Sequence, residues 1–136
     1  MFGNVLYEDE NVTITETCLI LKNYLFPVGS KIVAYSEMED IQTPRIADLE
    51  QKNKIKSWGP SLDGVYWQKD TKRSERTRAI VLQLKSSSKS WFKVGFSVDD
   101  KNFHQVYDIL VYWMARTRMS NNASAANSLD RLVSVK

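Results

Sequence analysis

One cysteine and one histidine are all that the chain holds of the residue types that dominate structural metal sites. Cys18 has no second cysteine to bridge, which excludes an intrachain disulfide and a cysteine zinc site, and a lone His104 excludes a histidine cluster. No apolar run approaches the roughly 20 residues that a membrane-spanning helix needs. The opening MFGNVLYEDE has neither a basic segment nor a long apolar one, so no signal peptide is expected. The Asn-x-Ser/Thr triplets at Asn11 and Asn122 then read as chance, and the expected setting is the cytoplasm. Nucleophile-elbow, zincin, phosphate-loop and dinucleotide-binding glycine motifs are all missing. No enzyme and no cofactor are expected.

What is present suits one domain with a proper core. Hydrophobic residues make up 43% of the 136 residues and charged residues 26%, which argues against wholesale disorder. The net charge of +3 is mildly basic, and such a sum identifies no partner until its distribution is known.

The organising stretch is Trp91–Thr117. Phe92, Val94, Phe96 and Val98 alternate with Trp91, Lys93, Gly95 and Ser97, the period of a strand with one apolar face. Asp99 or Asp100 caps a helix in which Phe103, Val106, Tyr107, Leu110, Trp113, Met114 and Thr117 share one arc. Upstream, residues 1–10 read as a helical or irregular lead-in. Asn11–Glu16 and Cys18–Tyr24 read as a tight antiparallel hairpin, and Pro27-Val28-Gly29-Ser30 as a turn before a strand at Lys31–Ser36. Residues 36–41 suggest a helical turn. Thr43-Pro44-Arg45-Ile46 resembles a helix start and Lys54–Trp58 alternates like a strand; of helix, strand or loop over Thr43–Asn53, the reading preferred is an irregular insert followed by a strand ending at Gly59-Pro60. Val65-Tyr66-Trp67, within Leu62–Gln68, and Ala79–Lys85 are further strands, joined by a charged loop at Lys69–Arg78, and Ser86–Ser88 form a turn. Residues 1–118 make the domain, and 119–136 a polar flexible tail in which Leu129, Leu132 and Val133 could dock.

Six or seven strands closed by one C-terminal helix give a mainly β, α+β fold. KIVAYSEMEDI (Lys31–Ile41), Ser57-Trp58-Gly59, Tyr66-Trp67, Arg78–Leu82 and FSVDDKNF (Phe96–Phe103) are similar to the strands and strand-to-helix junction of the bacterial pleckstrin-homology-like (PH-like) family. The resemblance spans roughly residues 10–117 and implies a partly open antiparallel barrel plugged by the helix. Phosphoinositide-binding members clamp phosphates with basic residues beside the first hairpin. Here that hairpin, TITETCLI, has Glu16 and no Lys or Arg, so that site does not carry over.

Two surfaces remain. Trp91 stands on the parity opposite the core, while Tyr112 and Ile109 fall outside the helix's inner arc. With the strand edge containing Tyr66 and Trp67, they are the candidate contacts for a protein or peptide partner or a second copy. Lys69, Lys72, Arg73, Arg76 and Arg78 are the candidate contacts for an anionic membrane surface, the alternative reading. Phosphates on nucleic acid, with Tyr66 and Trp67 stacking on bases, rank below both. The four-residue spacing of His104 and Asp108 allows a hydrogen-bonded pair, and with no nucleophile beside it this reads as helix surface.

Overall fold

The computed structural model describes residues 3–25, 29–85 and 93–134, with side chains on the last helix described through Asn122. The first sheet is an antiparallel meander of β1 (Val5–Glu8), β2 (Val12–Thr15), β3 (Cys18–Leu25) and β4 (Gly29–Ala34). Its first two turns are built by side chains that mimic backbone acceptors. Asp9 Oδ1 accepts the N–H groups of Asn11 and Val12 at 2.8 Å each, and the Thr15 hydroxyl accepts those of Thr17 and Cys18 at 3.2 and 3.1 Å. The expected hairpin is present, with Val12 opposite Leu21 and Ile14 opposite Leu19. Residues 5–8, expected to be helical or irregular, are a strand instead: Tyr7 pairs with Ile14 and is buried in the core.

The chain turns the corner at Tyr35–Glu37, a single 3-10 turn, and enters the second sheet through β5 (Met38–Gln42). The helical turn expected over 36–41 is thus shorter, and most of that stretch is strand. A short helix α1 (Ile46–Gln51) follows, where an irregular insert was expected. Ile46 and Leu49, one turn apart, give it an apolar side, and the Ile46 N–H is held by Thr77 O at 2.9 Å. Residues 54–58 are not a strand; only β6 (Gly59–Pro60) pairs there. After β7 (Val65–Trp67), β8 (Ile80–Leu84) and β9 (Lys93–Phe96) comes α2 (Phe103–Ser134). The spatial order is β5-β8-β9-β7-β6, with β7 and β9 parallel and the other pairs antiparallel.

The result is a mixed α+β fold of two sheets and a C-terminal helix. It is not a closed barrel, and the parallel β7–β9 pair breaks the all-antiparallel pattern expected from the sequence. Between the sheets, Val12, Ile14, Leu19 and Leu21 meet Ile80, Leu82, Leu84, Val94 and Phe96, and α2 adds Val106, Leu110 and Met114. Each such side chain contributes about 1.5–3 kcal/mol on burial. These are the faces that strand and helix periodicity assigned inward.

The second sheet is also covered on its other face. Ile46, Val65, Trp67, Ala79 and Val81 form a second core there, with Leu49 and Ile55 at its margin. Gly95 and Ser97, placed outward by parity, are therefore buried. Trp67 lies against Gly95, its cross-strand partner, so closely that a Cβ at position 95 would stand 2.5 Å from the indole ring. Gly95→Ala should accordingly cost about 1–3 kcal/mol, read as a lowered urea midpoint. An unchanged midpoint would mean that Trp67 can move aside.

Candidate interaction surface

The body-bound half of α2 divides cleanly. Asp99 accepts the Lys101 N–H at 3.1 Å and starts the one-turn lead into the helix. Val106, Leu110 and Met114 then face the core, with Trp113 and Ile109 half-buried beside them. On the other side Tyr112 is 54% exposed, Val111 38% and Met119 71%. Tyr112 meets Trp113 edge-on with ring centroids 5.4 Å apart. Arg116 locks the pair: its Nη1 donates to the Tyr112 hydroxyl at 3.0 Å, and its guanidinium lies 5.3 Å from the Trp113 ring centre. A tyrosine, a tryptophan edge, an arginine and a methionine held on a rigid helix are the residue types enriched where proteins bind one another. Of the sequence candidates, Tyr112 is thus on the surface and Ile109 is half-buried at its border. Trp91 lies outside the described residues.

The strand edge expected at Tyr66-Trp67 is not an edge. β7 lies inside the sheet between β9 and β6, and Trp67 is fully buried on Gly95. Tyr66 is half-buried, its ring 4.6 Å from that of Tyr24. Of the actual edges, β5 carries Arg118 against its backbone, with Nη2 donating to the carbonyls of Met38 and Glu39. That contact fixes α2 across the corner and covers carbonyls an added strand would use.

The basic loop is drawn inward. Arg73 is 3% exposed. Its Nη1 donates to Lys56 O at 2.6 Å, its Nη2 to Gln68 O at 2.6 Å and its Nε to Ser97 Oγ at 3.2 Å. Its guanidinium stands 4.9 Å from the Trp67 ring centre. Burial lowers its pKa to about 10 against the opposing pull of Asp70, so it remains a cation at neutral pH. Asp70, equally buried, accepts from Ser97 Oγ at 2.5 Å and from Arg76 Nε at 2.8 Å. Burial works against its charge. Hydrogen bonds from Ser97, Arg76 and the Lys72 N–H, together with the charge of Arg76, outweigh that and hold its pKa below the ordinary carboxylate value. Gln68 ties the loop to the first sheet, its amide donating to Asn11 O and Lys22 O at 2.6 and 2.5 Å.

Arg73 therefore leaves the anionic-surface set, and the Arg76 head group is engaged by Asp70. Lys69 stays outside, 5.3 Å over the Trp58 ring, Lys72 is exposed, and exposed Arg78 donates to Thr43 O at 2.8 Å. The signal for this inward turn was present in the small residues Gly95 and Ser97 on one strand face, which leave room for something large to pack.

His104 lies edge-on to Phe103 and lines a cleft of about 200 Å³ with Thr77, Arg78 and Asp100, where both Asp100 oxygens are taken by the Thr77 N–H and hydroxyl. Among the described residues no group of three or more His, Cys, Asp or Glu could hold a metal ion, and no helix is long and apolar enough to cross a membrane. Comparison with known proteins returns no match to any family model, curated protein or solved structure.

Asp70→Asn should destabilise the fold by about 3 kcal/mol at pH 7, because Arg76 loses its partner and Arg73 its nearest counter-charge. The folded carboxylate titrates below the unfolded one, so its contribution is complete above about pH 4 and is lost as the pH falls through the folded value. Urea titrations in acid should find wild type and variant converging. A gap that persists at low pH would assign Asp70 a packing role only.

Proposed function

We propose that this chain is a non-enzymatic, PH-like interaction module of the cytoplasm that binds a protein partner through the outer face of α2. The observation that carries this reading is the Tyr112–Trp113–Arg116 cluster with Met119 beside it. It combines exposed aromatic area with side chains already held in place, so little conformational freedom is lost on docking. The four-stranded meander, second sheet and closing helix support the PH-like part of the reading in their coarse arrangement, although a fold by itself assigns no partner. The membrane alternative rests on Lys69, Lys72 and Arg78. Each basic residue near an anionic surface contributes about 1 kcal/mol, and three such residues give a weaker case than the five counted in the sequence.

A photo-reactive phenylalanine analogue placed at position 112 in the full chain tests the site in cells. The expected result is a covalent adduct with a protein of defined mass, identified by mass spectrometry and lost when Arg116 and Met119 are both changed to Glu. An analogue that yields no adduct from position 112, or one indifferent to those changes, would remove α2 as the binding face.

A further inference from the structure

The course of apolar residues along α2 changes sides where the helix leaves the body. The core-facing arc runs Val106, Leu110, Met114 and Thr117, then is polar at Asn121, Ser124 and Ser128 before the position of Leu132. The opposite arc does the reverse. Tyr112, Ala115, Met119 and Asn122 are all exposed and follow one another at three- and four-residue steps. The backbone stays helical through Ser134, and the same steps continue to the positions of Ala126, Leu129 and Val133. That is a seven-residue repeat sustained over three turns of the repeat, the spacing of a helix-pairing seam. Residues 119–122 are all exposed, so no part of the described body covers this turn. A monomer gains nothing from an apolar seam that faces away from its own core.

We propose that the occupant of this seam is α2 of a second copy, packed antiparallel. This rests on the reading of α2 as the binding face and names its partner. Antiparallel pairing joins the body-bound half of one helix to the projecting half of the other, so the one sequence supplies both sides of a two-fold contact. In that register the position of Met119 faces that of Leu129, and Asn122 faces Ala126. The positions flanking the seam bring that of Arg116 in each copy opposite that of Asp130 in the other, an opposite-charge match made twice per dimer. A parallel pairing places no acidic position opposite Arg116. Asn122 is a lone polar position near the middle of the seam, the device by which paired helices select one register at some cost in stability.

Sedimentation of the full chain between about 1 and 100 μM, where mass action separates monomer from dimer, should show a dimer. Met119→Glu and Leu129→Glu should each weaken it by at least about tenfold, as a charge in a seam core does, with the thermal midpoint of the monomer unchanged. Arg116→Asp and Asp130→Arg should each weaken it, and the two together should restore it. Mixing Met119→Cys with Leu129→Cys chains should give the mixed disulfide between positions 119 and 129. The buried Cys18 is the only native cysteine and leaves this readout clean. A monomer at every concentration, a dimer indifferent to both Glu variants, or disulfides joining only like positions would overturn the antiparallel self-pairing. A monomer whose position-112 analogue still forms an adduct with a different protein would sink this inference alone; absence of any adduct would sink the binding face as well.

Discussion

The structure depends on one buried ionic knot. Asp70 and Arg73, each 3% exposed, are joined through the Ser97 hydroxyl, and Arg76 closes the charge balance from the rim. A buried carboxylate without partners would cost several kcal/mol, so the three groups are stable only together. Because Arg73 also holds the carbonyls of Lys56 and Gln68, the knot fixes the backbone on both sides of the outer core. Gln68, the next residue after β7, reaches the opposite way into the first sheet. One loop thus clamps three layers: the 54–58 segment, the second sheet and the first sheet.

That constraint decides where surface chemistry is found. A charged loop that folds inward cannot present its full charge outward, and a sheet covered on both faces offers no open apolar wall. The second sheet has α1 and the loop on one side and the first sheet with α2 on the other. Its β5 edge carries Arg118. Among the described residues the large apolar side chains left to solvent are Val5, Leu25, Ile32 and Leu62 on the body and Val111, Tyr112 and Met119 on α2, and the outer side of α2 is held rigid because its inner side completes the core.

Periodicity alone makes the inner core legible. Ile80, Leu82 and Leu84, then Val94, Phe96 and Val98, alternate as a strand must, and Val106, Leu110 and Met114 recur as a helix must. All are buried, because burial of one face is what such patterns record. The outer core is not legible for the complementary reason. Trp67 packs on a glycine and Arg73 on a serine and carbonyl oxygens, contacts between residues far apart in sequence that leave no period. A run such as KDTKRSERTR looks solvated by composition, and only the positions of Ser97 and of backbone acceptors turn two of its charges inward. Tyr66-Trp67 reads as an edge because local sequence does not reveal that β6, two residues long, pairs beyond it.

The last helix shows how composition and periodicity can disagree over the same residues. Judged by composition, SNNASAANS is a tail: small, polar and low in complexity. Judged by position, it continues a helix already nucleated and anchored by Val106, Leu110 and Met114, where each added residue needs only the weak preference that alanine supplies and serine and asparagine oppose mildly. The backbone follows the second account through Ser134. Once it is helical, the few apolar residues are no longer scattered, since Met119 and the positions of Ala126, Leu129 and Val133 fall in line with Tyr112 on the arc away from the core. The first half is stabilised by the fold, and the reverse arc, polar at Gln105 and Asp108, turns apolar only from Tyr112 onward with Asn122 as its polar exception, so the extension continues a face that the described body leaves exposed through Asn122.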